Sequence, residues 1–522
     1  MTKVEKPEAE KEKDLVKVMV HTRKLGENTL LEAVFKDYLP TFIVKDGGGI
    51  RFEKFIIDGD IEYRPAWDVK IGYPFLEFKT GEDLSPPSID WLVRNLLTAW
   101  RKWIDTSDDY RKLNVAATLL SYQAHKFETI PYLGYFGDNS TGKGQRLTLH
   151  WQLDYHPLLA TSVTPANIYR FIDDAKGTII EDELDNIDRD PEVLKLWKSG
   201  YKKGARVPRI VNERGDQHYF DVFGMKIMAA EKQPENKGLR ERMIVELSQY
   251  GAPVKDEFTD ADMEKFAILR KKLLLWRMSN YFDSLPDIEL PFRARARELY
   301  KPLLLTIHGS SLYDDLLKVI TSLEKERLEA SQRSVEAVLT KAVLLSHVSG
   351  SISSEVLREQ VRELTDGANY YDKSGDIVVG VHTDEYGKLS NRFVAGKLKL
   401  LFGAIPLKHT TSNHTNRDLR GWKLDLERVR REALKYRLNE ESELMATFGA
   451  LGSVGAASAG SVQDGGINSA QIDPFNDSES LVSDRNPIKS VISEESQNRA
   501  TPPKPPKPPK PPKPTLSTKG VV

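Results

Sequence analysis

The sequence has no cysteine among its 522 residues. That excludes disulfides, Cys-ligated zinc sites and iron–sulfur clusters. It also lacks any apolar run long enough to cross a bilayer, and the opening MTKVEKPEAEKEK has no apolar core of a secretory leader. A cytoplasmic protein without membrane contact is the expectation. Charge of one sign is lacking too: 76 Lys and Arg stand against 77 Asp and Glu, a net charge of -1. Binding to a polyanion must therefore come from local basic patches, not from the chain as a whole.

What is present is enough for more than one core. A chain of this length, 39% hydrophobic and 29% charged, is expected to form roughly two to four domains with some disordered sequence added. Residues 1–13 are charged and aperiodic and read as disordered. Residues 14–87 read as a β-rich module, with the short Val-, Ile- and Phe-rich runs LVKVMV, PTFIVK, RFEKFIID and PFLEFK separated by turn residues. Residues 88–255 begin with the helix-like SPPSIDWLVRNLLTAWRKWI and then alternate strands and helices, which predicts a mostly parallel sheet. Residues 256–345 read as a helical linker. Residues 346–437 mix short helices with a possible strand pair and resemble a winged helix. The segment 391–401 would be its recognition helix, carrying Arg392, Lys397 and Lys399. The segment 408–422, with Arg417 and Arg420, would be the wing. Such a module contacts DNA phosphates or docks a protein.

Residues 438–522 collapse into Gly, Ala, Ser, Asp and Asn and end in TPPKPPKPPKPPKPT, a disordered tail by composition. Lys504, Lys507, Lys510 and Lys513 recur every third residue, the period of polyproline II, so their ammonium groups line one edge of a stiff rod. That edge suits nucleic acid, a proline-recognising partner such as a replication protein, or a spacer without a partner.

The central motif is Gly137-Asp138-Asn139-Ser140-Thr141-Gly142-Lys143-Gly144, placed between the strand-like IPYLGYF and the helix-like GQRLTLHWQL. Glycines let successive backbone N–H groups turn toward phosphate oxygens, the helix N-terminus adds its dipole, and Lys143 reaches the terminal phosphates. The pattern predicts an ATP-binding P-loop. At the next position, Gly144 stands where Ser or Thr usually offers a hydroxyl to magnesium. Water or Gln145 fills that place, or metal binding is weak.

A second motif, GTIIEDE at 177–183, is an apolar strand ending in acids. Asp182 can hold Mg2+ and Glu183 can orient or deprotonate the attacking water. One helix, the run HPLLATSV and a second helix lie between the two motifs, which fits a sheet with an extra strand between the lysine strand and the acid strand. A third strand, DVFGMKIMAA at 221–230, ends in Glu231, Lys232 and Gln233, where a polar side chain would sit beside the γ-phosphate. Arg240 and Arg242 then enter a helix and suit an arginine finger aimed at a neighbouring subunit.

This order of motifs resembles the additional-strand, AAA-type ATPases, in particular superfamily 3 helicases and the primase-associated helicase domains of viruses and plasmids. The resemblance covers residues 88–255. It implies that Lys143 binds phosphates, Asp182 binds magnesium, Glu183 is the base, Glu231 or Lys232 is the first sensor, and Arg240 or Arg242 is the finger. It also implies that the hairpin read from KKGARVPRIVNERGDQHYFDVFG contacts DNA through Lys202, Lys203, Arg206, Arg209 and Arg214. The fold class expected is α/β: a P-loop NTPase core with an N-terminal β-rich module, helical linker, winged-helix-like domain and Pro/Lys tail. The function expected is a DNA-dependent ATPase or replicative helicase of a mobile element, acting on single-stranded or forked DNA, as a homo-oligomer, such as a hexameric ring. The alternatives are a nucleotide-binding switch that regulates a DNA-bound assembly without translocating, and a scaffold whose tail recruits a partner. No primase constellation is present in the sequence.

Overall fold

The computed structural model describes residues 15–66, 74, 76–161, 164–184, 187–210, 216–255, 257–332, 334–347, 350–365, 391–407 and 421–438. The tail with its four spaced lysines, the hairpin tip with Arg214, the wing with Arg417 and Arg420, and the possible strand pair after residue 365 lie outside these residues.

The N-terminal part is β-rich, as its short branched runs require. Strands Thr22–Leu25, Thr29–Lys36, Leu39–Asp46 and Gly49–Glu53 form an antiparallel meander in that order. Lys36 pairs with Leu39, and the two residues between them, Asp37 and Tyr38, both take left-handed backbone angles, φ 49° and 65°. That is the turn whose twist matches the flanking strands. Alternation of side chains sorts this sheet onto two cores. Leu31, Phe42 and Val44 pack with Tyr63 in a small core of the module's own. Leu30, Val34 and Ile43 face the main core of the chain. Glu32 shares that second face. It is fully buried and accepts hydrogen bonds from Arg277 Nε (2.9 Å) and Tyr155 Oη (2.9 and 3.0 Å).

Two helices follow, Ile89–Trp103 and Asp108–Gln123, each started by a serine, Ser88 and Ser107, that accepts from a backbone N–H in the first turn. The chain then lays down a five-stranded, wholly parallel sheet, so the core is α/β. The spatial order is Pro157–Ala160, Thr178–Glu181, Lys226–Ala230, Tyr132–Phe136, Met243–Leu247. Both faces are covered, which is why the strands read as apolar runs without alternation.

This order corrects one expectation. A strand does lie between the lysine strand and the acid strand, but it is Lys226–Ala230, which comes later in the chain. The run PLLA, which precedes the acid strand in sequence, forms the edge of the sheet. Asp221 also belongs elsewhere than expected, at the end of the hairpin strand Gln217–Asp221.

The stretch after the sheet is helical, with Asp260–Asn280, Ala294–Thr306 and Tyr313–Gln332 packed on the main core. The first is opened by a reciprocal Thr259–Asp262 capping box. A second core then forms around helices Val335–Ser346, Ser354–Thr365, Asn391–Phe402 and Leu426–Lys435. Its three short strands are antiparallel, in the order Ser351–Ser353, Gly421–Lys423, Ile405–Leu407. Helix Val335–Ser346, expected at the end of the linker, is part of this core: Ala337, Leu339 and Val343 are buried in it. No helix among the described residues is long and apolar enough to cross a membrane.

Candidate functional site

The loop 137–144 leaves the carboxyl end of strand Tyr132–Phe136, which lies between the central strand Lys226–Ala230 and the edge strand Met243–Leu247, and enters helix Lys143–Leu153. Two glycines are required where they stand. Gly137 has φ 154°, and a Cβ there would come 2.4 Å from the carbonyl oxygen of Ser248. Gly142 starts the helix at φ 75°. Ser140, at φ 65°, completes a backbone that curls back on itself. Asp138, Asn139 and Ser140 form the exposed crest, while Thr141 is buried and its Oγ1 donates to Asp138 O at 2.8 Å. The helix has no acid in its first turn, so nothing there opposes an anion at its positive end.

Lys143 folds over the loop and donates to the carbonyls of Gly137 and Asp138, the latter at 2.9 Å. The ammonium group is thus parked on acceptors at the loop. A phosphate oxygen, carrying a full charge, is a stronger acceptor than either carbonyl. A Cβ on Gly144 would meet nothing within 4 Å, so the missing hydroxyl is not excluded by crowding. Gln145 Nε2 donates to Lys255 O at 3.2 Å and so ties the helix start to the segment that follows the last strand.

Strand register fixes which face the acids occupy. Tyr135 Oη lies 2.7 Å from His150 Nε2 on the loop helix, so Leu133 and Tyr135 face that helix. Ile180 is level with Ile227, and Ile227 with Leu133. Ile180 therefore shares the face, and so does Asp182 two residues on, whose N–H still bonds Ala160 O at 3.0 Å. Glu181 turns to the opposite face, where it is buried. Glu183 is exposed, with φ 58°, and its N–H is held by the Asp182 carboxylate at 3.0 Å. Among the described residues no cluster of three or more potential metal-ligating side chains occurs. Glu231 and Lys232 follow the strand Lys226–Ala230 and are both exposed.

The arginine pair sits differently from expectation. Instead of entering a helix, Arg240 ends the single turn Lys237–Arg240, and Arg242 directly precedes the strand Met243–Leu247. Tyr132 N–H bonds Arg242 O at 2.9 Å, so the pair lies at the end of the sheet away from the loop 137–144. Four strand steps separate the two ends, about 13 Å. Arg242 is engaged internally, donating to Gly238 O with its guanidinium 5.5 Å over the Tyr201 ring. Arg240 is exposed.

The basic hairpin is present as Arg206–Ile210 paired antiparallel with Gln217–Asp221. Its charges are mostly spoken for. Lys202 lies 3.6 Å from Glu298, Lys203 bonds His125 O at 3.0 Å and faces Glu128, and Arg209 pairs with Glu192 while lying 5.3 Å over the Tyr169 ring. Arg206 is exposed and makes no ion pair among the described residues. The register puts it on the outward face with Ile210, 67% exposed, and Tyr219, 54% exposed. In the C-terminal core, Lys397 pairs with Glu336 and is half-buried, while Lys399 is exposed. The side chain of Arg392 lies outside the described residues.

Sequence reasoning misses the brace beneath the loop. Arg146, 3% exposed, donates to Glu246 Oε1 through Nε (3.1 Å) and Nη2 (3.0 Å), and its Nη1 reaches Thr141 O at 3.0 Å. The available signal is the lone acid in the otherwise apolar strand MIVEL.

No protein-family model and no curated relative matches the chain. Among solved structures, the chain is similar to the C-terminal region of NrS-1 at 11% identity, over 76% of this chain and 96% of that one, with a TM-score of 0.33. It is similar to the SCCmec type IV Cch protein, described as an active helicase, at 11% identity over 80% of each chain, TM-score 0.32. A full-length MCM homolog from Methanopyrus kandleri aligns at 10% identity over 56% of this chain and 75% of that one, TM-score 0.30. At such TM-scores the functional reading rests on the chain's own geometry.

Proposed function

We propose that the chain is a helicase-like ATPase that binds ATP on the loop 137–144 and couples its hydrolysis to single-stranded or forked DNA. The observation that carries this reading is the loop itself. Lys143 is poised over it, and Asp182 lies on the same face of the sheet. Magnesium would be held by Asp182 together with phosphate oxygens and waters, since this ion keeps much of its hydration and needs only one or two carboxylates. Glu183, exposed one residue further on, would activate water. Glu231 and Lys232 would border the terminal phosphate.

Arg240 supports assembly of several copies. It is too far from its own loop to serve it, so it would act only on the nucleotide of a neighbouring subunit. The outward hairpin face supports a single strand as partner: Arg206 suits a phosphate and Tyr219 a base. In the C-terminal core the order helix, strand, helix, helix, strand, strand supports a winged-helix-like module, which would tether DNA or dock a protein. Gly144 favours a second reading, a nucleotide-binding switch without translocation. ATP turnover measured with and without single-stranded DNA separates the two. The motor reading expects stimulation, and turnover indifferent to DNA favours the switch.

A further inference from the structure

The segment 248–255 leaves the last strand, Met243–Leu247, beside the phosphate loop. It has no regular structure, yet its backbone is held at several points. Ser248 N–H bonds Phe136 O at 2.6 Å, Ala252 N–H bonds the Asp105 carboxylate at 3.0 Å, Lys255 N–H bonds Lys102 O at 3.1 Å, and Lys255 O receives the Gln145 amide at 3.2 Å. Gly251 is pressed against Asp105, where a Cβ would come within 2.8 Å. From this pinned span two large apolar side chains project into solvent: Tyr250 is 84% exposed and Val254 78% exposed. Isolated exposed apolar residues need no explanation. An aromatic ring on a tethered backbone beside a phosphate loop does.

The sheet order says what would cover it. Asp182 lies on one side of the loop strand, beyond the strand Lys226–Ala230. The metal and the terminal phosphate therefore belong on that side. The nucleoside, at the other end of the triphosphate, must leave the loop on the opposite side. There, among the described residues, the sheet offers only the strand Met243–Leu247 and its exit, which carries Tyr250.

We propose that Tyr250 is the residue on which the base of the bound nucleotide stacks, with Val254 as an apolar wall. This rests on the ATP-site reading given above and names the missing half of that site. Recognition through a ring face rather than through hydrogen bonds favours the larger purines over pyrimidines and discriminates little between adenine and guanine.

The test uses the full chain and three probes: ATP, CTP and inorganic tripolyphosphate, each titrated against the parent, Tyr250→Ala and Tyr250→Phe. Tyr250→Ala is expected to bind ATP about tenfold more weakly, within the range for loss of one base–aromatic stack. Its affinity for tripolyphosphate should match the parent's, and Tyr250→Phe should bind ATP like the parent. The parent's preference for ATP over CTP should shrink in Tyr250→Ala. Equal ATP affinity in Tyr250→Ala and parent overturns the stacking role while leaving the phosphate loop standing. Equal losses for ATP and tripolyphosphate also overturn it, because Tyr250 would then support the loop. A parent that binds neither ATP nor tripolyphosphate removes the phosphate-site reading and this inference with it.

Discussion

Arg146 and Glu246 form an ion pair beneath the loop 137–144, 3.0 Å from Nη2 to Oε1, with both side chains almost wholly buried. The pair is part of a longer chain of polar groups. Glu246 also accepts from Thr106 Oγ1 (2.7 Å) and faces Asn114 Nδ2 (3.4 Å), and Asn114 Oδ1 accepts from Tyr135 Oη (2.7 Å). Because Arg146 holds Thr141 O as well, the loop's shape is set from below by a charge that cannot easily move.

Arg146→Met leaves Glu246 buried without its cation. The loss should be about 3 kcal/mol in urea unfolding, as for other broken buried pairs. Arg146→Met combined with Glu246→Leu should recover much of that loss, since neither charge remains to be solvated. A double variant no more stable than the single one would show that the pair is not the source of the effect.

Gly144 offers a test of the proposed magnesium site. A Cβ there meets open space, so Gly144→Thr should fold. If the missing hydroxyl limits magnesium binding, the variant should need less magnesium for half-maximal ATP turnover. An unchanged magnesium requirement would mean that water or another group already fills the position.

Lys226, fully buried at the start of the strand beside the loop strand, supplies a pH dependence. Its Nζ donates to Val222 O and Gly224 O, both at 3.1 Å. Burial, partly offset by Asp221, pushes its ammonium from 10.5 down to about 7. Between about pH 7 and 10.5 the unfolded chain holds a proton here that the folded chain has released. Stability contributed by this residue therefore rises with pH across that window, and it is constant below, where both states are protonated. Lys226→Met should lose this rise, whatever its stability at neutral pH. Parallel stability curves for parent and variant from about pH 7 to pH 10 would contradict the burial of the charge.

On the hairpin, Arg206 is the residue to change. It is exposed and unpaired among the described residues, whereas Lys202, Lys203 and Arg209 face Glu298, Glu128 and Glu192. Arg206→Ala should reduce the slope of log affinity for single-stranded DNA against log salt by about 0.7. Lys202→Ala and Lys203→Ala should change it less. The reverse ranking would place the strand at the hairpin base instead of on its outward face.

Much of this arrangement is legible in the sequence, and the exceptions have a common cause. The loop 137–144 can be read because glycine and lysine are needed at fixed steps between one strand and one helix. Ser88, Ser107 and Thr259 mark helix starts through bonds to residues three positions on. The sheet order is not legible, because a parallel strand's neighbour is chosen by crossovers and not by its own residues. Thus PLLA looks like the intervening strand and forms the edge. The same holds for charge. Lys397 looks like a DNA contact along its helix, but its partner Glu336 stands on a helix far earlier in the chain. Arg242 resembles a finger beside Arg240 until the Tyr201 ring and Gly238 carbonyl take it up.

The central claim is that the loop 137–144 binds ATP through Lys143. Titration of a fluorescent ATP analogue into the parent and into Lys143→Ala tests it most directly, with the unfolding midpoint of each protein measured alongside. The variant should stay folded, because the bonds of Lys143 among the described residues go to two loop carbonyls, those of Gly137 and Asp138, and should bind the analogue at least several-fold more weakly, as loss of a charge-assisted contact requires. Equal affinity in two folded proteins would contradict the account.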